Sequence, residues 1–191
     1  MTTNRAVFLD RDGTLIEEVN FLDRVDRVEL YPWSIDAVRL LNRAGLRVVV
    51  VTNQSGIARG FFTEALVEQL HRHISALLAA GGARIDAYYY CPHHPQGQVD
   101  GYTRVCDCRK PAPGLVDRAA RELGVDPRRS CVVGDRWLDL RLARAVGARG
   151  LLVRTGCGGA EEARPAPDVT ADAVADNLMG ATSWILRNLR S

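Results

Sequence analysis

Asp10 and Asp12 are the residues from which a reaction can be read. They stand one position apart, behind a short apolar run ending at Leu9 and ahead of Gly13, which permits a sharp turn. Carboxylates at the end of a buried strand cost free energy unless a cation, a donor or a reaction needs them, although Asp and Gly also make ordinary turns. Three later stretches favour the reaction: Thr52-Asn53, Arg109-Lys110-Pro111, and Gly134-Asp135 with Asp139. Acids crowded at one sheet edge repel one another and call for a hard cation. Oxygen-only ligands suit Mg²⁺, which keeps several waters and shares phosphate oxygens. Lys110 supplies a fixed positive charge and the Thr52 hydroxyl a donor, which together could hold the equatorial oxygens of a phosphoryl group in transfer. One carboxylate can attack phosphorus, and a second can protonate the leaving oxygen and then take a proton from water. On an extended strand, positions i and i+2 share a face, so Asp10 and Asp12 suit a two-step phosphatase. Singly, Thr52 could merely end a strand and Lys110 could be a solvated charge. Asp139 could be a first-turn helix acid favoured by the dipole, and for it both readings stay open.

The elements that must position these groups alternate between strand and helix. Leu15 to Leu30 has no clean period and reads as a loop or small hairpin over the end of the first strand. A helix begins near Pro32, carries Ile35, Val38, Leu40 and Leu41 at helical spacing, and stops at Gly45. Leu46 to Val51 is a near-continuous apolar strand, of the kind covered on both faces in a parallel sheet. Thr63 N-caps a helix to about Leu78, closed by Gly81-Gly82. Ile85 to Tyr90, Ser130 to Val133 and Gly150 to Val153 supply further strands, with helices over Pro113 to Leu123 and Leu138 to Val146. Gly156 to Pro167 is a mobile loop by composition, and Ala171 to Leu189 reads as a closing helix. The pattern predicts an α/β fold: a doubly wound, mostly parallel sheet with helices on both faces, where ligands bind beyond the carboxyl ends of the strands. Asp10, Thr52, Cys91 and Asp135 all fall at such ends.

At 191 residues the chain suffices for one such domain and is short for two. A net charge of +2, with acids and bases scattered, offers no basic face for nucleic acid. No apolar run spans a membrane, and the polar start from Met1 to Arg5 leaves no room for a signal peptide. The expectation is a cytoplasmic protein and, with no apolar helix face demanding a partner, a monomer. The odd count of five cysteines argues against a disulfide framework. Cys131 packs as a small hydrophobe in a strand, and Cys157, among glycines, is a loop thiol. Cys91-Pro92-His93-His94 and Cys106-Asp107-Cys108 bracket a long irregular stretch that something must staple. Three thiolates and an imidazole make a closed structural Zn²⁺ site. His93 is preferred because Cys91-x-His93 mirrors Cys106-x-Cys108, and His94 stays possible. His71 and His73, on a helix, read as surface residues.

Asp10-x-Asp12-Gly-Thr, Thr52, Lys110 and Gly134-Asp135-(x3)-Asp139 resemble the four motifs of the haloacid dehalogenase superfamily. The resemblance implies a Rossmann-like sheet, Asp10 as nucleophile, Asp12 as acid/base, and Thr52 and Lys110 steadying the phosphoryl group. It also implies Mg²⁺ held by Asp10, the backbone carbonyl of Asp12, and Asp135. Phe8 to Thr14, Val50 to Gly60, Tyr89 to Gly97 and Val105 to Pro111 further resemble the D-glycero-D-manno-heptose 1,7-bisphosphate phosphatases. That resemblance implies one phosphatase domain over 1–191 without a large cap, carrying a zinc-binding insertion at 91–108. Loops at 17–22, 53–62 and 91–109 would set access. The implied reaction removes the 7-phosphate of a phosphorylated sugar and leaves the anomeric 1-phosphate; α or β anomer stays open. Glu18, Val19, Asn20, Phe21, Thr52, Asn53, Gln54 and Ser55 would contact substrate beside Lys110, and the match is loosest at 17–21. Arg109, with its planar fork, would recognise the distal phosphate or sugar, and Arg136 is a further candidate contact. The related histidinol-phosphate phosphatases share the motifs and the zinc loop and are the nearest alternative. A zinc-stapled binding protein on the same fold is the alternative from another class; it would be expected to lack the catalytic acids, which are present.

Overall fold

The computed structural model describes residues 4–189, so the first part of the polar start, 1–3, lies outside the described residues. Among them, one sheet contains β1 (Ala6–Leu9), β2 (Arg47–Asn53), β3 (Ala87–Cys91), β4 (Cys131–Gly134), β5 (Arg149–Val153) and β6 (Ala173–Ala175). Its order is β3-β2-β1-β4-β5-β6, and every pairing is parallel. Phe8 of β1 sits opposite Val49 on one side and Val132 on the other. The order reverses at β1, which puts the ligand crevice of such a sheet at the carboxyl end of that strand. Asp10 is the next residue.

The helices are α1 (Ser34–Arg43), α2 (Glu64–Ala80), α3 (Gly114–Leu123), α4 (Trp137–Val146), α5 (Gly158–Glu162) and α6 (Leu178–Asn188). Period-two alternation decides which face each strand residue meets. Val7, Leu9, Val48, Val50, Cys131 and Val133 pack with Val38 and Leu41 of α1, Leu70 and Ile74 of α2, and Ile185 of α6. Phe8, Val49, Val51 and Val132 pack on the opposite face with Leu115 and Ala119 of α3 and Leu142 of α4. Each Val, Leu, Ile or Phe among them, once buried, is worth about 1.5–3 kcal/mol over its exposed form. The doubly wound α/β architecture expected above is therefore present. No described helix is long and apolar enough to cross a membrane.

Three expectations need correction. The closing helix starts only at Leu178, because Ala173–Ala175 forms β6 on the edge of β5. Asp172 fastens this strand: its N–H donates to Gly150 O at 2.8 Å and its carboxylate accepts the Gly150 N–H at 2.7 Å. The Gly156 to Pro167 loop contains α5, anchored where Trp137 donates its backbone N–H to the Glu161 carboxylate and its indole N–H to the Glu161 carbonyl, both at 2.8 Å. β2 runs on through Thr52 to Asn53, two residues beyond the apolar stretch ending at Val51. Between β1 and α1 the chain makes a short antiparallel bridge, Ile16 to Leu30, around a 3-10 turn at Val25–Arg27, which is the small hairpin-like connection anticipated.

Candidate active site

Asp10 leaves β1 with its N–H on Val133 O of the neighbouring β4, at 2.9 Å. Its Oδ1 accepts the Arg11 N–H at 2.8 Å and pairs with Lys110 Nζ at 2.9 Å. The Lys110 side chain is 1% exposed and reaches Asp139 Oδ1 at 2.6 Å and Val51 O at 2.9 Å. Asn53 carries the loop that brings it there: Asn53 Oδ1 accepts the Lys110 N–H at 3.0 Å, and its amide donates to the Lys110 carbonyl at 3.2 Å. Burial alone would depress the ammonium, but Asp10 and Asp139 more than offset it and raise its pKa. Asp139 is wholly buried in the first turn of α4; burial pushes its carboxyl up to about 6, against the pull of Lys110. Its place is therefore that of Lys110's partner, not of a solvated helix acid.

Asp135 follows β4. Its Oδ2 accepts the Cys157 N–H at 2.7 Å, while Oδ1 is buried with no partner. Burial first, and then the Asp10 charge, push its carboxyl up to about 8. Gly13 and Gly156, both at positive φ, close over it; a Cβ at either position would stand 2.3 Å from Asp135 Oδ2. Carboxylate oxygens of Asp10, Asp135 and Asp139 lie within 4.8 Å of one another. Lys110 engages Asp139 and one oxygen of Asp10, so the other Asp10 oxygen and Asp135, which it does not touch, are left for a further positive charge. An orphaned buried carboxylate oxygen beside a second acid fits a hard, oxygen-liganded cation such as Mg²⁺.

Asp12 is held differently. Arg11 Nε lies 3.1 Å from Asp12 Oδ2 and Arg11 Nη2 2.9 Å from Oδ1. Gln54 Nε2 donates to Asp12 Oδ2 at 3.0 Å and to the Thr52 hydroxyl oxygen at 2.9 Å. Behind Arg11 stands His71, 7% exposed, with Nε2 at 3.4 Å from Arg11 Nη1. The surface reading of His71 is thus wrong; His73, two residues on along α2, is half-buried. The sequence reading missed both Arg11 and His71 as parts of the site.

Asp10, Arg11, Asp12 and Lys110 face a cavity of about 300 Å³, whereas the buried Asp135, Asp139 and His71 do not line it. Glu18, Asn20, Phe21, Thr52, Asn53, Gln54, Ser55, Arg109, Lys110 and Arg136 line it with Asp10 and Asp12. Val19 does not; it packs against the core between β1 and the helices. Leu22, Gly56 and Phe62 join from loops foreseen as ranges, and Leu138 joins from α4 without any signal in its type or spacing. Glu18 and Arg136 approach to 3.8 Å, and burial followed by Asp12 raises the Glu18 pKa. Phe21, at φ 60°, meets Phe61 edge-on with ring centroids 4.7 Å apart.

The cysteine loop gathers Cys91, His93, Cys106 and Cys108 into one cluster. Sγ–Sγ separations are 3.5 Å for Cys91–Cys106, 3.2 Å for Cys91–Cys108 and 3.3 Å for Cys106–Cys108. His93 Nδ1 lies 3.3 Å from Cys108 Sγ and 3.8 Å from Cys91 Sγ. Tetrahedral zinc with Zn–S of about 2.3 Å has edges of roughly 3.8 Å, so the Sγ–Sγ separations would each widen by about 0.3–0.6 Å to take it. His94 turns elsewhere, accepting the Gln96 N–H at Nδ1, 3.0 Å away. The clip reaches the cavity through Arg109, whose Nη1 donates to His93 O at 3.2 Å.

Comparison with known proteins bears on this arrangement. Residues 5–137 match the polynucleotide kinase 3 phosphatase family and residues 107–181 the HAD-hydrolase-like family. The chain is 45% identical over 173 residues to the D-glycero-beta-D-manno-heptose-1,7-bisphosphate 7-phosphatase of Salmonella typhi, covering 90% of this chain and 92% of that one. It is 46% identical to the enzyme of the same name from Escherichia coli K12, covering 90% of each. The crystal structure of D,D-heptose 1,7-bisphosphate phosphatase from B. bronchiseptica, complexed with magnesium and phosphate, superposes with a TM-score of 0.84 at 35% identity, over 96% of this chain and 98% of that one. The enzyme of that name from Burkholderia thailandensis gives 0.70 at 31% identity, over 95% and 98%. With acids, buried lysine and cysteine loop standing where the motifs put them, the chain belongs to the haloacid-dehalogenase-like phosphatases, in the D-glycero-D-manno-heptose 1,7-bisphosphate phosphatase family.

Proposed function

We propose that this phosphatase removes the 7-phosphate of D-glycero-D-manno-heptose 1,7-bisphosphate through an aspartyl-phosphate on Asp10. The names of its relatives support the substrate. The chemistry is carried by one observation: Lys110 is buried between Asp10 and Asp139 at a cavity that also holds Asp12. In the first step an Asp10 oxygen attacks phosphorus, the bond from phosphorus to the sugar oxygen breaks, and Asp12 gives that oxygen its proton. In the second, Asp12 takes a proton from water, the water oxygen attacks phosphorus, and the bond to Asp10 breaks, releasing inorganic phosphate. Lys110 balances charge on the transferring group. The Thr52 oxygen already accepts from Gln54, so its own hydrogen is left to donate to a phosphoryl oxygen. Asp10, the backbone carbonyl of Asp12, and Asp135 would hold Mg²⁺, which when bound neutralises charge on the phosphoryl oxygens.

Glu18, Asn20, Phe21, Asn53, Gln54, Ser55 and Arg136 would contact the sugar, and Arg109 the second phosphate. Cys91, His93, Cys106 and Cys108 would hold a structural Zn²⁺. Arg104 Nη2 now stands 2.8 Å from His93 Nε2, a contact that needs this nitrogen as an acceptor, whereas metal on Nδ1 leaves it a proton. Arg104 is exposed and can give the contact up at little cost. Three thiols gathered as ligands suit a reducing cytoplasm. Because one parallel sheet carries the described groups of the site, we assign residues 1–191 as one phosphatase domain, and we propose that it acts as a monomer.

The test is phosphate release with Mg²⁺ from both heptose bisphosphate anomers, histidinol phosphate and fructose 1,6-bisphosphate. A heptose bisphosphate should lead by at least about a hundredfold in kcat/KM, and Asp10→Asn should lose at least about a thousandfold with its fold intact. Preference for histidinol phosphate would overturn the substrate, and an active Asp10→Asn the mechanism.

A further inference from the structure

Arg11 is a guanidinium with 1% of its surface exposed, placed among the largest side chains of the interior. A cation so deep is tolerated only when its partners are complete, and here each nitrogen has one. Nε and Nη2 fork onto the Asp12 carboxylate, Nη2 also donates to Gln54 Oε1 at 3.0 Å, and Nη1 faces His71 Nε2 at 3.4 Å. Gln54 closes the ring by donating to Asp12 and Thr52. The His71 ring cannot swing away: it stacks on Tyr88 with centroids 4.4 Å apart and planes 17° from parallel, and meets Tyr90 edge-on at 5.8 Å. Burial and the Arg11 charge keep the imidazole neutral, which leaves Nε2 able to accept.

We infer that Arg11, held from behind by His71, fixes the orientation of the Asp12 carboxylate and is thereby a positioning residue for proton transfer to the leaving oxygen. This rests on the acid/base reading of Asp12 given above. Proton transfer requires the carboxyl within hydrogen-bond reach of one particular oxygen, and a short side chain in the turn beyond a strand has several rotamers that miss it. The planar fork selects one of them. A lysine would keep the charge and lose the fork. Phenylalanine at 71 would keep the stack on Tyr88 but leave Nη1 of a buried guanidinium without an acceptor, so Arg11 would shift.

The experiment compares a sugar phosphate, whose alkoxide leaving group must be protonated, with p-nitrophenyl phosphate, whose leaving group need not be. For Arg11→Lys and His71→Phe, the ratio of kcat/KM between the two substrates should fall about tenfold in the direction of p-nitrophenyl phosphate. His71→Gln, whose amide oxygen can occupy the place of Nε2, should restore most of the ratio. Should Arg11→Lys fail to fold, the two His71 variants carry the test alone. Equal losses on both substrates, no loss, or a gain on the sugar phosphate would overturn the inference. Asp12→Asn on the same pair separates the levels. If it leaves the ratio untouched, the acid/base reading falls; if it shifts the ratio and His71→Phe does not, only the positioning role falls.

Discussion

Burial, and then the adjacent Arg11 guanidinium, push the His71 imidazole down to about 3. A group whose folded pKa lies below its unfolded value binds its proton only in the unfolded chain between the two. Its contribution to stability is therefore complete above about pH 6.5 and is lost progressively as the pH falls towards about 3. The groups facing it do not reverse the sign. The Tyr88 phenol is pushed up to about 12 by burial, the Tyr90 phenol is likewise raised by burial, and the Asp12 charge pulls the other way more weakly than burial and Arg11 push. Between pH 8 and pH 5 this one residue should remove about 2 kcal/mol. Urea unfolding of the wild type and of His71→Gln at both pH values measures it: the excess loss belongs to the wild type alone, and equal losses would clear His71 of the effect. The burial of His71 was legible in principle. Val67, Leu70, His71, Ile74 and Leu78 recur at helical spacing and form the buried stripe of α2. What the sequence could not supply was a reason for an imidazole there, because its partner, Arg11, is sixty positions away in the chain.

The cysteine loop is an element without regular structure of its own, and two devices tie it down. One is the cluster of Cys91, His93, Cys106 and Cys108; the other is Glu64, which accepts from Tyr90 of β3 at 2.5 Å and from Tyr102 of the loop at 2.6 Å. Stripping the metal with a strong chelator, or making Cys108→Ser, should lower Tm by about 5–10 °C and expose 91–109 to protease. Turnover should suffer mainly in KM, since Arg109 leans on the His93 carbonyl while Lys110 is held separately by Asn53. Metal content measured beside Tm decides the matter: a zinc-free protein of full stability would exclude the clip. The clustering of Cys91, His93, Cys106 and Cys108 could be read in advance because metal chemistry constrains residue type and close spacing together. α5 and β6 could not. Gly158–Glu162 is helical because Trp137 docks on it, and Ala173–Ala175 is a strand because Asp172 fastens it to Gly150. Both causes are tertiary, and neither leaves a period in the sequence.

At the scale of the molecule, four segments far apart in the chain meet at one buried ammonium. Lys110, arriving from the cysteine loop, touches Asp10 beyond β1, the Val51 carbonyl of β2, and Asp139 of α4. The strand ends could be placed from alternation of strands and helices alone, which is why Asp10, Thr52 and Asp135 could be assigned together. The pairing of Lys110 with Asp139 could not, since a first-turn acid has an adequate local explanation. That pairing gives the lysine a structural role beside the chemical one proposed for it, and the two are separable. Lys110→Met leaves Asp10 and Asp139 without their cation and should cost about 3–5 kcal/mol of stability together with activity. Adding Asp139→Asn removes the uncompensated buried charge and should recover part of that stability, because losing both partners is cheaper than losing one. Activity should stay lost in the double variant, since nothing then balances the phosphoryl group. A denaturant double-mutant cycle with parallel phosphate-release assays reads both quantities. Additive stability losses would show that Asp139 is not held through Lys110, whereas recovery of stability without turnover is the signature of one cation serving the fold and the reaction at once.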